Sequence, residues 1–438
     1  MPLHYPWPSP PEREQLGARL HPGDDPADAV VLEWAGEFFS GIHPADQKER
    51  SLIPEDPMVF ATPGLFDAQI NGYWGRGFKD VEAGPQGVRD LCWSITLSGT
   101  TRFLPTITTD APEVMRAAMA NIDAACRAYP DVAAMVAGIH QEGPWISPVD
   151  GPRGAHPREH VAPPDIDVFD LLQESSGNRI RLLTLAPEIN GGIDLIREVT
   201  ERGMSVCLGH HQAARSTIRQ AIGAGAVGVT HLGNGCHNMM PRHPNVLWEQ
   251  AAEDRLFAGV ISDGHHVPPA TVKVFYRAKP PGKLFLVSDA VSMAGAPPGL
   301  YHLRDEIVEM RPSGRFGFYE SETLIGAAVS LSRCLANFVD FTDEGKTPVS
   351  YLPHVTRVPG MLTGISDLAA PLGKPGTPAT FVVWRWDRDT PDLIPQRIVV
   401  RGRTVYDTNT LPTQVPFGRT LEPATSEEAE QSSLSSNG

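Results

Sequence analysis

Between residues 60 and 365 the chain alternates short apolar, β-branched runs with longer Ala-rich stretches of helical period. The runs at 65–70, 101–106, 135–141, 180–186, 204–209, 226–231, 257–262 and 284–289 read as strands. The stretches 86–98, 112–128, 192–202, 214–224, 246–255 and 269–278 read as helices, with a later one at 327–341. Strands that are apolar throughout need cover on both faces, as parallel strands under helices have. Eight such strands alternating with helices predict an α/β protein built on a (β/α)8, TIM-like barrel over 61–365. A doubly wound open sheet is the rival, because alternation alone does not separate the two.

The two ends carry a different pattern. Residues 1–25 are rich in Pro and charge and predict an irregular N-terminal arm. Residues 29–34, and a short run near 57–61, read as strands. Residues 379–386 and 397–406 alternate apolar and polar positions and read as antiparallel strands around a Pro/Asp turn region. Segments 26–60 and 366–418 together therefore predict a small β-sandwich domain built from both chain ends. The acidic, Ser-rich stretch 419–438 is expected to be a disordered tail.

Composition narrows the choice. A chain of 438 residues admits three domains, or one barrel with a small partner. It holds 41 Gly and 42 Pro, together well above the usual ~12%, and no G-X-Y period accompanies them. With 41% apolar residues the chain is not of the disordered class, so the excess belongs to turns between many short elements. Against 52 acidic residues stand 37 Lys and Arg, a net charge of −15, which argues against a nucleic-acid or anionic-membrane partner. Five scattered Cys with no CxxC fit a reduced, cytoplasmic setting rather than a disulfide framework. No apolar run is long enough to span a bilayer, and MPLHYPWPSPPEREQ has no apolar core of the kind a secretory signal carries.

The chemistry is suggested by where polar residues fall. Gln69 and Asn71 stand at the end of the first predicted strand, and His140, Gln141 and Glu142 at the end of the third. His210 and His211 end the fifth, and His231 ends the sixth, with Asn234 just beyond. Asp263 ends the seventh, before His265 and His266, and Asp289 ends the eighth. Sites in this fold form at those C-terminal ends. Buried ionisable groups are costly there unless paired or metal-bound.

Glu142, His210 and His231 supply one carboxylate and two imidazoles, a ligand set suited to a catalytic divalent ion. Any one of them alone would read as a hydrogen-bonded core residue; three at matched strand ends read as a site. Asp289, next to a metal-bound water, is placed to take its proton and pass it to a leaving group, the alternative being a helix N-cap. His156, Arg242 and His266 lie in loops after the third, sixth and seventh strands, where a substrate would rest. A loop Arg can hold phosphate, although alone it would read as a solvated charge.

Ten strings occur in order: PGLFDAQINGYWG (63–75), GTTRFLPTITT (99–109), GIHQEGPWISP (138–148), RGAHP (153–157), TLAPE (184–188), LGHHQA (208–213), THLGN (230–234), SDGHHV (262–267), LVSDAVSMAG (286–295) and TLIGAAVSL (323–331). In that order and spacing the chain resembles the N-acetylglucosamine-6-phosphate deacetylase family of the amidohydrolase superfamily. The resemblance implies hydrolysis of an N-acetylated amino-sugar phosphate to the amine and acetate, in a homodimer. It implies one divalent ion on Glu142, His210 and His231, zinc foremost, with iron, manganese and cobalt as alternatives. Asp289 matches the catalytic acid/base and His156 the group that stabilises the oxyanion. Gln69, Ala155, His156, Asn234, Gly235, Arg242, His266 and the segment Leu324, Ile325, Gly326 and Ala327 match the substrate pocket.

Many amidohydrolases carry HxH where this chain has Gln69 and Asn71, and no Lys ends the fourth strand, so a single ion is expected. The chain departs from the family at Gly235 and Cys236, at His243 and Asn245, at His211, and in the additional His237 and His265. These changes lie on the sugar and phosphate side. They leave open another N-acyl amino sugar or cyclic amide as substrate, and a catalytically silent sugar-phosphate binder.

Overall fold

The computed structural model describes residues 7–303, 306–321, 324–409 and 425. Eight parallel strands form one sheet in sequence order: β1 (Leu65–Ile70), β2 (Thr100–Thr108), β3 (Ile139–Glu142), β4 (Ile180–Leu185), β5 (Ser205–Leu208), β6 (Gly228–Val229), β7 (Phe257–Val260) and β8 (Leu284–Leu286). The seam between β1 and β8 is closed just beyond the strand ends. The Asp289 N–H donates to Gln69 O at 2.9 Å, and the Asn71 N–H to Ala290 O at 2.8 Å. Lower in the seam the Ser288 N–H reaches the Asp67 carboxylate at 3.3 Å. The closed barrel, not the open sheet, is the fold.

Phe66, Ala68, Leu104, Leu182, Cys207, Ile261, Phe285 and Val287 fill the barrel interior. The outer helices follow the expected apolar stripes. Helix Pro112–Ala128 begins with Pro, whose missing N–H costs nothing in the first turn, and buries Met115, Ala118, Met119, Ile122, Ala125 and Cys126. Helix Ile166–Ser175 was not anticipated. It buries only Phe169 and Leu172, and its start is fixed by the Asp165 side chain accepting from the Asp167 and Val168 N–H groups.

The ends of the chain fold into two small antiparallel sheets. One joins Glu14–Ala18, Val30–Ala35 and Phe38–Pro44; the other joins Val59–Pro63, Phe381–Asp387, Asp392–Val400 and Arg403–Asp407. Leu32, Trp34, Phe39, Ala61, Phe381, Val383 and Val399 form the core between them, and the Trp34 Nε1–H donates to Gly402 O at 3.0 Å. Trp384 turns toward the barrel. A Cβ on Gly99, whose φ is +86°, would lie 1.9 Å from the Trp384 ring, so only glycine allows this approach.

Several expectations are corrected. The stretch 1–25, expected to be irregular, contains the strand Glu14–Ala18; it is short, and its partner Val30–Ala35 carries most of the apolar signal. The run 397–406 is two strands broken by Arg401 and Gly402, both at positive φ. A three-stranded antiparallel sheet, Gly299–Leu303, Glu306–Met310 and Phe316–Phe318, follows β8 where no strand was expected. Its apolar face packs against Met293 and Ala328 rather than on the barrel core, so its alternation resembles a loop's. The expected tail at 419–438 lies outside the described residues except for Thr425. Among the described residues no helix is long and apolar enough to cross a membrane.

Burial pushes the fully buried Asp67 carboxyl up to about 7, against hydrogen bonds from Ser288 and Gln69. The unfolded chain ionises this group above about pH 4, whereas the folded chain holds its proton until about pH 7. Asp67 therefore lowers stability progressively across that window, by at most ~1.4 kcal/mol per pH unit. Urea unfolding of Asp67→Asn and wild type should show the variant gaining relative stability from pH 4 to 7 and then levelling off. A difference that does not change with pH would contradict the burial argument.

Candidate active site

The polar strand ends converge at the C-terminal mouth of the barrel. Glu142 Oε1 lies 3.1 Å from His210 Nε2 and 3.1 Å from His231 Nε2, and the two Nε2 atoms are 3.0 Å apart. His156 Nε2 stands 3.2 Å from His210 Nε2. All four residues are buried. Burial works to raise the Glu142 carboxyl, but a positive charge at the facing His210 and His231 nitrogens outweighs it and holds the group well below the usual range.

Ordinary hydrogen bonding does not satisfy this cluster. His210 Nδ1 faces the Pro152 carbonyl at 2.9 Å, so Nδ1 carries the proton and a neutral ring presents a bare Nε2 to the other rings and the carboxylate. Lone pairs directed at one another need a cation among them. The donor atoms of Glu142, His210 and His231 lie within 4.8 Å of one another, and these residues fit a divalent ion with N and O ligands.

The surrounding shell fixes these groups. The Gln69 Nε2–H donates to Glu142 Oε2 at 3.1 Å. His156 Nδ1 meets the Thr109 hydroxyl at 2.8 Å, and burial, with His210 adding, holds the ring far below its ordinary pKa, hence neutral. Beneath the mouth, His140 Nε2 meets Thr184 Oγ1 at 2.8 Å and Thr184 meets Thr230 at 2.6 Å; burial takes His140 down to about 4. His210, His231 and Asp289 all have positive φ, at 53°, 32° and 49°. Non-glycine residues pay ~1–3 kcal/mol for such conformations, and here the turns aim three functional side chains across the mouth. A Cβ on Gly235 would sit 3.0 Å from the His210 ring and 3.2 Å from its backbone, which explains glycine there.

Asp289 Oδ1 accepts from Asn71 Nδ2 at 2.7 Å. Burial and the Glu142 charge raise its carboxyl to about 7 against His231, His266 and Asn71. It caps no helix. The segment Leu324–Ala327 runs beside it: the Ala327 N–H reaches Asp289 O at 3.3 Å, and the Val291 N–H reaches Ala327 O at 3.1 Å. Asn234 folds back on His231 O at 3.2 Å.

Two expected residues are not brought into the cluster. Ala155 is exposed, and Arg242 is exposed with no ion pair among the described residues. Its carbonyl accepts from Asn245. His211 turns to the rear, against Gln250 and the Ala213 N–H, and burial takes it down to about 3. His265 contacts Ser313 O at 3.0 Å, and His237 contacts Gln212 at 2.7 Å. Thr109, Asn71 and Asp263 have structural partners in the site but were given no role from the sequence; Asn71 and Asp263 stood among the polar strand ends, and Thr109 directly follows β2.

Asp263 Oδ1 accepts the N–H groups of His265 and His266 at 2.8 and 2.9 Å, and Oδ2 meets His266 Nδ1 at 2.7 Å. Burial would lower His266, but this hydrogen bond and the Asp263 charge, with Asp289 adding, raise it.

Fold and site together define an amidohydrolase-type barrel, with a carboxylate–imidazole cluster and a separate aspartate at its mouth. No family model matches the chain. It is 34% identical over 331 residues to human N-acetylglucosamine-6-phosphate deacetylase, covering 73% of this chain and 78% of that protein. It is 30% identical over 331 residues to the N-acetylgalactosamine-6-phosphate deacetylase of Escherichia coli O157:H7, covering 75% and 85%. The chain belongs to the N-acetylglucosamine-6-phosphate deacetylase family. The fold matches the Mycobacterium smegmatis N-acetyl-D-glucosamine-6-phosphate deacetylase with a TM-score of 0.77 at 22% identity, covering 90% of this chain and 99% of that one. The Pasteurella multocida enzyme follows at 0.74 and 24%, covering 89% and 99%.

Asp263→Asn can keep the two backbone bonds but cannot hold a charged ring. NMR titration of the His266 Cε1–H should show a lower midpoint in Asp263→Asn than in wild type. Coincident titration curves would contradict the pairing.

Proposed function

We propose that this protein removes the acetyl group of N-acetylglucosamine 6-phosphate, giving glucosamine 6-phosphate and acetate. One observation carries the reading: Glu142, His210 and His231 converge beside Asp289 at the barrel mouth, in a chain of this family. Glu142, His210 and His231 would hold the ion, for which zinc suits the mixed N and O donors best. When bound, it supplies Lewis acidity toward a carbonyl and makes a water more acidic.

The chain's own groups do the rest. Asp289 Oδ2 takes a proton from the attacking water, while Oδ1 stays on Asn71. Burial raises the Asp289 carboxyl above the usual carboxylate range, which favours its taking that proton and returning it to the amine nitrogen as the C–N bond breaks. Neutral His156, with Nδ1 accepting the Thr109 hydroxyl proton, turns Nε2–H into the cluster as a donor to the developing oxyanion. His266, whose imidazole Asp263 raises toward the cationic form, and Arg242 would take the phosphate. Gln69, Ala155, Asn234, Gly235 and Leu324–Ala327 would line the sugar.

Acetate release from the phosphorylated sugar, its unphosphorylated form and the galactosamine epimer tests the reading. The metal-loaded enzyme should favour N-acetylglucosamine 6-phosphate. Asp289→Asn should lower kcat by about 10²–10⁴-fold with little change in KM. Faster turnover of the unphosphorylated sugar would overturn the phosphate assignment, and full activity of Asp289→Asn would overturn the mechanism.

A further inference from the structure

Asn71 is used at only one end. Its Nδ2–H donates to Asp289 Oδ1 at 2.7 Å, while its own Oδ1 is buried and has no partner among the described residues. Buried side-chain carbonyls without a partner are rare, and in a site they call for an explanation. The carboxamide is not free to escape. The Asn71 N–H is bound to Ala290 O at 2.8 Å, and its carbonyl takes the Phe78 N–H at 3.0 Å. At the next residue, a Cβ on Gly72 would fall 2.4 Å from Arg76 O and 2.8 Å from the Ser292 nitrogen, so the chain is clamped against the loop after β8. Flipping the amide would set Oδ1 against the Asp289 carboxylate, an acceptor facing an acceptor. The unpaired oxygen therefore stays beside the same aspartate.

We propose that Asn71 contacts the substrate: its Oδ1 accepts the N–H of the scissile amide while its Nδ2 orients Asp289. The inference rests on the amide-hydrolysis reading above. A secondary amide nitrogen carries one hydrogen. After water adds to the carbonyl carbon, that nitrogen becomes pyramidal and must receive a second proton on its lone pair before the C–N bond breaks. Asp289 supplies that proton, the one it took from water, and the electrons of the C–N bond leave with nitrogen. An acceptor that holds the existing N–H sets the direction of the lone pair. Asn71 places that acceptor next to the proton donor, so both nitrogen positions are addressed from one carboxamide–carboxylate pair.

The test compares wild type with Asn71→Ala and Asn71→Ser on two substrates: the N-acetyl sugar phosphate, and its 2-O-acetyl ester, which has no N–H. Metal content and thermal melts establish that each variant is folded and loaded. Asn71→Ala should lose about 10²-fold in kcat/KM on the amide and less than about 10-fold on the ester, with Asn71→Ser between. The ratio of the Ki values of non-hydrolysed ester and amide analogues should also collapse toward one in Asn71→Ala. An equal loss on both substrates, or an unchanged Ki ratio, would overturn the proposal; the Ki ratio is the readout that a role through Asp289 alone would not move, because weakening that acid also costs an amide more than an ester. A wild-type enzyme that releases no acetate from the amide would overturn the deacetylase reading itself, a result distinct from either.

Discussion

Glu142 is a carboxylate with 2% exposure, placed within 3.1 Å of two imidazole nitrogens. Burying such a charge is costly unless every lone pair is answered, and the rest of the mouth is arranged around that constraint. Gln69 answers one oxygen from β1. His210 and His231 face the other from the ends of β5 and β6, where a cation shared by the three would answer it. Pro152 fixes His210 from the loop after β3. Strands far apart in sequence must close into a barrel for these groups to meet. The β1–β8 seam, sealed by Asp67, Asp289 and Ala290, is therefore part of the site as much as of the scaffold.

The local backbone is strained where the chemistry is. Three site residues sit at positive φ, and glycine at 235 lets another loop approach His210 closely. Apolar side chains from Phe66 to Val287 pack the barrel interior below the mouth, so the scaffold can hold these conformations. Stability is supplied by the lower layer of the barrel and spent at the upper one.

The barrel was legible because its strands are continuous apolar runs between amphipathic helices, two periodicities that differ strongly. The cluster was legible because Glu142, His210, His231 and Asp289 break those runs at the same end. What the sequence did not reveal depends on weaker or three-dimensional signals. Helix Ile166–Ser175 buries too few residues to stand out, and Glu14–Ala18 follows its neighbours' pattern rather than its own. The supporting roles of Thr109, Asn71 and Asp263 depend on which side chain faces which across the mouth. The same distinction separates His211 from its neighbour His210: one residue along the chain turns the ring from the cluster to Gln250.

A net charge of −15 and three carboxylates around the mouth make an anionic substrate unwelcome unless cations are concentrated there. Asp263 raises the His266 imidazole toward its cationic form, and the donors of Glu142, His210 and His231 fit a divalent ion. Metal stoichiometry measured on purified protein and on His231→Ala tests this most directly. The account predicts one divalent ion per chain in the wild type, and loss of that ion in His231→Ala with the barrel still folded. Two ions per chain, or an unchanged content in the variant, would contradict it.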